Sequence, residues 1–393
     1  MILASKFKAN PSWSQKQQLR DQMDIHANIY NRTLDTLEEE SEWISKYDMF
    51  TRLTQWKKKD SNSFDAVNSK AAQQTVGRVY NAIDGLQTKK EKGYSVGKLR
   101  HRNTFTSIEY NQSGFTVSEE TLRLHPVGHI PWNKHRDISG SIKGVTIKVS
   151  NEGDWYASVL HEVETKDEIP LEDIEDEDVV GIDFNVSNLI TDSDGRIFES
   201  LWSALDSEIE RVKREQQKLS RKEYGSNNYK KQKANVQKSY TKLVNKRNDI
   251  LHKLTNWYVE RYDYIAVEDI ESEKLSQGLV SHIKEQAWGR FKEYIAYKAS
   301  QAGVHIAEVD PAYTSQDCSQ CGNRRQKDLS ERQHNCQNCG LSTHRDINAA
   351  INIEDRGREL GQGLSETTPW EMRSADETHV SLRTIVERGS PGL

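Results

Sequence analysis

The sequence predicts an α/β domain with a metal-binding knuckle set into it, preceded by a β-barrel that carries a helical insertion. Three observations predict this. The stretches Val145-Thr-Ile-Lys-Val149 and Trp155-Tyr-Ala-Ser-Val159 alternate on either side of Asn151-Glu-Gly153, the pattern of a β-hairpin. From about 180 to 310, short apolar strands trade places with helical periods, which is an α/β order. All four cysteines of the chain fall in two Cys-x-x-Cys pairs, Cys318/Cys321 and Cys336/Cys339.

Taken in chain order, Ile2, Ala4 and Phe7 mark a first short strand. Residues 11–95 then read as a helical lobe, with Leu19, Met23, Ile29, Tyr30, Leu34 and Leu37 in one period and Val76, Val79, Tyr80 and Ile83 in another. Phe105, Ile108, Tyr110, Phe115, Leu122 and Leu124 suggest strands before the hairpin, so 1–10 and 96–165 are expected to form the barrel. Residues 166–178 are crowded with Asp and Glu and read as a solvated acidic linker. Val179-Val-Gly-Ile-Asp183-Phe is a buried strand, followed by a tight meander to about 201, helices over 203–260, a strand at Tyr264-Ile-Ala-Val-Glu268, a helix at 284–302 and a strand at 304–309. The α/β domain is therefore assigned to 179–313 and 342–354, the knuckle to 314–341, and a flexible, polar tail to 355–393.

A chain of 393 residues has room for two or three domains. No apolar run approaches the ~18 residues of a membrane span, and the opening Met-Ile-Leu-Ala-Ser-Lys-Phe-Lys lacks the long apolar core of a signal peptide. A reducing, cytoplasmic setting is expected, where clustered cysteines bind metal more often than they form disulfides. Two knuckles supply four thiolates at tetrahedral geometry, which suits one structural zinc ion with no open position for water. A redox dithiol would need only one Cys-x-x-Cys, at a helix start.

Asp183 and Glu268 each end an apolar strand, and Asp346 opens the helix behind the knuckle. Singly, such acids are turn residues or helix-dipole partners. Jointly they stand where an open α/β sheet gathers its chemistry, at the carboxyl ends of strands. Three converging carboxylates repel unless cations neutralise them, and hard oxygen ligands suit Mg2+ or Mn2+. Two such ions about 4 Å apart make a phosphodiester clamp, so a nuclease is expected.

The stretches Gly181-Ile-Asp183-Phe-Asn-Val-Ser-Asn-Leu, Ile265-Ala-Val-Glu268-Asp-Ile, Tyr297-Lys-Ala-Ser-Gln-Ala-Gly303, Val309-Asp-Pro-Ala-Tyr-Thr-Ser-Gln-Asp-Cys318-Ser-Gln-Cys321-Gly and Asp346-Ile-Asn-Ala-Ala-Ile-Asn-Ile353 resemble, in this order, the TnpB (OrfB-type) transposon-encoded RNA-guided DNA nucleases, relatives of the type V CRISPR effectors. The resemblance implies an RNase H-like (RuvC-like) nuclease domain in which Asp183, Glu268 and Asp346 are the metal-binding catalytic triad, with a zinc ribbon inserted before the last of them. His125-Pro-Val-Gly-His-Ile-Pro, His135-Arg136, Ile142-Lys-Gly-Val-Thr-Ile-Lys and Asp154-Trp-Tyr look like the family's β-barrel wedge domain, which makes 11–95 its recognition lobe. Asn185 departs from the Gly more usual in the turn after the first Asp. The partners implied are a transposon-derived guide RNA, one protein per RNA, and target double-stranded DNA bearing a short flanking motif.

Arg211, Lys213, Arg214, Lys218, Arg221, Lys222, Lys230 and Lys231 head a basic run opposed only by Glu215, Glu223 and Asp249 as far as residue 254. This local excess, hidden in a net charge of -5, is expected to bind a nucleic-acid backbone. The acidic total itself would fit a host with high internal salt, such as a haloarchaeon. Two other readings stay open: an RNA-guided DNA-binding repressor that does not cut, and a transposase or its accessory protein.

Overall fold

The computed structural model describes residues 1–59, 64, 66–185, 187–269, 288–328, 330–361 and 378–382. It divides into two compact units, Met1–Glu164 and Thr165–Leu393. No helix among the described residues is long and apolar enough to cross a membrane.

In the first unit, strand β1 (Ile2–Ala9) alternates buried and exposed residues and leads into helix α1 (Trp13–Glu39). A capping box starts the helix: Gln15 N–H donates to Ser12 Oγ at 3.3 Å and Ser12 N–H to Gln15 Oε1 at 2.9 Å. Helices α2 (Lys46–Lys59) and α3 (Ser69–Glu91) pack with α1 through Ile29, Met49, Leu53, Trp56, Ala72, Val76 and Tyr80. The chain then lays down β2 (Ser107–Asn111), β3 (Phe115–Val117), β4 (Thr121–Leu124), β5 (Gly128–Asn133), β6 (Ile142–Val149) and β7 (Trp155–Glu162). With β1 they form one seven-stranded sheet in the order β2-β6-β7-β1-β5-β4-β3. All its ladders are antiparallel, and β1 pairs along its whole length with β7, from Ile2↔Glu162 to Ala9↔Trp155. The helices thus leave and re-enter between two strands of one sheet.

The expected barrel is a curled sheet. No ladder among the described residues joins the edge strands β2 and β3, yet these are consecutive in the chain and only residues 112–114 separate them. So short a connection forces the sheet to roll until its two edges come near one another. Inside the roll lie Phe7, Ile108, Tyr110, Leu122, Leu124, Ile130, Val145, Ile147, Trp155, Ala157 and Val159.

The second unit opens with residues 166–178, where the density of acids in the sequence conceals three apolar anchors. Ile174 is buried against Val179, Tyr264, Ala307 and Ile353, with Ile169 and Leu171 packed beside it. The stretch expected as a solvated linker therefore lies against its own domain. Next come β8 (Val179–Phe184), β9 (Ile190–Asp192), β10 (Arg196–Phe198), the short α4 (Leu201–Ala204), α5 (Asp206–Ser220), α6 (Asn227–Val259) and β11 (Tyr264–Glu268). Helix α7 (Trp288–Ala302), β12 (His305–Val309), the hairpin of β13 (Gln333–Asn335) and β14 (Ser342–His344), helix α8 (Arg345–Leu360) and β15 (Thr378–Val380) follow. The six-stranded sheet runs β12-β11-β8-β9-β10-β15. Strands β8, β11 and β12 are mutually parallel, β9 is antiparallel to both β8 and β10, and β15 joins β10 in parallel.

Every residue of β8 and β11 is buried, because both faces of the sheet are covered. Val180, Ile182 and Phe184 of β8 pack with Ile250, Leu254 and Tyr258 of α6 and Phe291, Ile295 and Ala299 of α7. The other face receives α8 at unusually close range. A Cβ on Gly181 would lie 2.1 Å from Ala350 O and 2.5 Å from Glu354 N, and one on Gly357 would lie 2.4 Å from Ala266 Cβ. Below them Arg358 donates to Glu354 Oε1 (2.9 and 3.0 Å), to Asp176 Oδ1 (2.8 Å) and to Asp176 O (3.0 Å), which ties the acidic stretch to α8.

The segment expected as a tail from 355 contributes the last turns of α8, and further on β15 as a sheet edge. The helical period simply continues through Gly357 and Arg358, which are buried. Residues 362–377 and 383–393 lie outside the described residues, as does the start of the helix expected over 284–302.

Gly181→Ala should lower the unfolding free energy by about 1–3 kcal/mol through overpacking against a rigid helix backbone. Thermal unfolding of the purified protein checks this, and Gly85→Ala, at an open position of α3 where an added Cβ meets nothing, controls for the replacement of a glycine as such.

Candidate functional site

The four cysteines come together on two turns. Their sulfurs all lie within 4.8 Å of one another, with Cys318 Sγ to Cys339 Sγ and Cys321 Sγ to Cys336 Sγ both 3.6 Å apart. Disulfide sulfurs would be about 2.05 Å apart, whereas ligands about 2.3 Å from a tetrahedral zinc stand roughly 3.8 Å from one another. Each turn closes on a glycine in the left-handed region: Gly322 (φ 69°) donates to Cys318 O at 2.8 Å and Gly340 (φ 84°) to Cys336 O at 3.0 Å. Backbone N–H groups aimed at sulfur, that of Cys339 first, pull the Cys336 thiol down to about 6, while burial pushes Cys318 up to about 12. Asn338 Nδ2 approaches Cys321 Sγ at 3.5 Å and draws that thiol down as well. The donor set and spacing fit one zinc ion, and it would be held by these four residues alone.

The acids form a second centre. Gly181 and Asp183 lie two residues apart on β8 and therefore on one face, as do Ala266 and Glu268 on β11. The register Ala266↔Gly181 and Val267↔Ile182 carries on to set Glu268 beside Asp183. Helix α8 covers that face, and Asp346 stands in its first turn. All three carboxylates are buried, at 7%, 6% and 6% exposure for Asp183, Glu268 and Asp346, which is rare for acids without partners. Their carboxyl groups are nevertheless more loosely gathered than the thiols. The cysteine quartet is the one group among the described residues whose metal-ligating atoms all fall within 4.8 Å.

Electrostatics mark the acidic centre as strained without a cation. Burial, then the neighbouring Glu268, then Asp346, raise Asp183 well above the usual carboxylate range. Burial likewise lifts Glu268 to about 7, offset in part by its hydrogen bond with Asp183. Asp346 Oδ2 is buried with no hydrogen-bond partner, and the nearest base, His344 Nδ1, is 4.0 Å away. A divalent cation would supply what these groups lack: countercharge for Asp183 and Glu268, and a ligand for Asp346 Oδ2.

Two residues that sequence reasoning passed over brace the site. Asn185, noted there only as a departure from glycine, donates to Asp183 Oδ2 (3.4 Å) and Thr191 Oγ1 (3.1 Å) and accepts from Asn188 N–H (2.8 Å). Thr314 is buried, and its side chain helps to draw the Glu268 carboxyl down, while its hydroxyl donates to Pro311 O at 3.1 Å. A polar residue two positions after a strand-end acid was the available signal for the first. For the second it was a Thr just ahead of the knuckle.

The basic run lies on α5, α6 and the turn between them. The helices are antiparallel: Gln232 Nε2 reaches Glu215 Oε2 at 2.7 Å and Lys246 Nζ reaches Glu208 at 3.1 Å. Arg211, Lys213, Arg214, Lys218, Arg221, Lys222, Lys230 and Lys231 are all exposed. Lys213 and Lys218 pair with Glu210 (2.8 Å) and Glu215 (2.7 Å) one turn earlier, which trims the excess, while the four bases 221, 222, 230 and 231 cluster around the turn.

Two family models match parts of the chain. Residues 288–353 match the model of the Cas12f1-like TNB domain, and residues 158–278 match the OrfB family described as "Probable transposase". The chain is 28% identical over 384 residues to "Putative RNA-guided DNA endonuclease InsQ" of Escherichia coli (strain K12), covering 91% of this chain and 93% of the relative. It is also 28% identical over 364 residues to "Putative RNA-guided DNA endonuclease" of Streptomyces pristinaespiralis, covering 89% of this chain and 88% of the relative. Among solved structures, Cas12f1 in a cryo-EM complex with sgRNA and target DNA shares the fold, with a TM-score of 0.56 at 14% identity over 87% of this chain and 83% of that one. With the two family models matching in order from 158 to 353, two relatives matched along nearly their whole length and a shared fold, the chain is a TnpB-type protein, related to the type V CRISPR effectors.

Proposed function

We propose that the chain is an RNA-guided DNA endonuclease that cuts phosphodiesters at Asp183, Glu268 and Asp346 with two Mg2+ or Mn2+ ions. The observation that carries this is the gathering of three buried carboxylates from β8, β11 and α8 on one face of the sheet, with Asp346 Oδ2 left unpaired. The names of the relatives, "RNA-guided DNA endonuclease", support the activity. The order β12-β11-β8-β9-β10 supports reading the second unit as an RNase H-like (RuvC-like) nuclease domain, with the zinc ribbon between β12 and α8. In the first unit, the curled sheet and helices α1, α2 and α3 take the parts of wedge and recognition lobe.

When bound, the two ions supply an activated water and a countercharge for the departing 3′ oxygen. The chain's own residues do the rest. Burial and mutual repulsion keep the carboxylates short of countercharge, so they favour divalent ions over water or monovalent salt. Asn185 steadies Asp183 through Oδ2, so that this carboxyl is oriented before the substrate arrives. The exposed bases of α5 and α6 hold a nucleic-acid backbone without reading its sequence, while pairing with the guide RNA selects the target and protein reads a short flanking duplex.

Asp183→Ala should reduce cleavage of a guide-matched duplex to background and leave guide and target binding intact; undiminished cutting would remove Asp183 from the site, and binding without cutting in the parent protein would favour a repressor. Cys336→Ser should lower zinc from one ion per chain and depress the melting temperature, read by elemental analysis and thermal unfolding. Replacing Arg221, Lys222, Lys230 and Lys231 by Glu should weaken RNA binding and flatten its dependence on log salt by ~0.7–0.9 for each phosphate no longer neutralised, measured by titration between low and high potassium chloride.

A further inference from the structure

Helix α8 grips the loop that leads into the zinc ribbon through side chains spaced four residues apart. Asn348, Asn352 and Arg356 fall on one face of the helix. Asn348 Nδ2 donates to Asp317 O at 2.7 Å and Thr314 O at 3.5 Å, and Asn352 Nδ2 donates to Thr314 O at 2.7 Å and Asp317 O at 2.9 Å. Two carboxamides thus saturate the lone pairs of two carbonyls. Asn348 Oδ1 accepts from Ser319 N–H at 3.0 Å, inside the first cysteine knuckle, and Arg356 Nη1 donates to Asp310 O at 2.6 Å and Ala312 O at 2.9 Å. Asn348 is fully buried, so these bonds are made away from water, where leaving one unmade is costly.

The clamp joins two parts of the proposed metal site that share no strand. Asp346 stands two residues before Asn348 on the same helix. Thr314, whose carbonyl is gripped, lies five residues beyond Val309, which stands opposite Glu268 in the β11–β12 ladder and accepts from Asp269 N–H at 2.8 Å. Its hydroxyl donates to Pro311 O at 3.1 Å, which closes the segment on itself. A carboxamide ladder that merely packed a helix would have no need to converge on the segment that runs from the register partner of Glu268 into the first cysteine knuckle. We infer that Asn348 and Asn352 are positioning residues for the phosphodiester cleavage, setting the separation of Asp346 from Glu268 and linking it to the zinc-bound knuckle. The inference rests on the proposed three-carboxylate site.

The test uses the full chain loaded with guide RNA. Asn352→Asp is isosteric and turns both donated hydrogen bonds into carbonyl–carboxylate repulsions; Asn352→Ser, milder, removes them without adding charge and decides the matter if the aspartate variant fails to fold. Cleavage rate is measured at saturating target against Mg2+ concentration, together with zinc content and target binding. The expected result is a rate about 10- to 100-fold lower and a higher Mg2+ concentration for half-maximal cutting, with zinc and target affinity as in the parent. Rates within twofold of the parent would overturn the inference, and so would a loss of cleavage matched by equal loss of zinc or of target binding. Asp183→Ala run in parallel separates the two levels: if it cuts normally, the site reading itself fails, whereas an inactive Asp183→Ala beside a fully active Asn352→Ser sinks the clamp alone.

Discussion

The second unit depends on how closely α8 can approach the sheet. Gly181 on β8 and Gly357 on α8 leave room for backbone to meet backbone, and nothing larger fits at either place. An ordinary helix–sheet separation, set by interlocking side chains near 10 Å, would hold Asp346 away from the strand-end acids. Removing two side chains at the contact brings the first turn of the helix over the carboxyl ends of β8 and β11. The same contact aligns Arg358 with Glu354 and Asp176, so the helix is pinned at its far end by a buried ion network while its near end carries the unpaired acid.

Two ways of keeping charge inside a protein thus occur on one helix. At its C-terminal end a guanidinium and two carboxylates satisfy one another directly. At its N-terminal end the charges are matched less closely: His344 Nδ1 stands 4.0 Å from Asp346 Oδ2, and burial raises Asp183 and Glu268. The first arrangement joins opposite charges. The second leaves Asp346 Oδ2 without a hydrogen-bond partner, and it is there that the proposed cations would act. The cysteine quartet is a third case, in which backbone N–H groups lower one thiol ahead of any metal.

Much of this was legible from residues alone. Apolar runs bounded by turn residues marked β8 and β11, and period two put Gly181 with Asp183 and Ala266 with Glu268. The paired cysteines announced a metal turn by spacing. What stayed hidden was whatever depends on distance rather than on pattern. Nothing in helical periodicity tells an asparagine that faces water from Asn348, which grips a carbonyl. The surrounding acids drowned the signal of Ile169, Leu171 and Ile174, so a docked segment passed for a linker. A glycine in a strand reads as a weak point until the helix above Gly181 is seen. The basic run was visible as charge, but not the partial neutralisation of Lys213 and Lys218 by acids one turn away.

Strand β15 bears on how the protein keeps to itself. Strand β10 would otherwise end the sheet with a free row of N–H and C=O groups, a template onto which any extended chain could add. Thr378–Val380 fills that place in parallel register, Glu199 N–H donates to Val380 O at 3.1 Å, Ser381 Oγ donates to Glu199 Oε1 at 2.7 Å, and Leu382 is buried in the core beyond. A stretch of three residues, contributed from far along the chain, thereby acts as a plug against β-augmentation by a stranger. At that edge, protection against aggregation comes from residues that follow every other described strand of the sheet in the sequence.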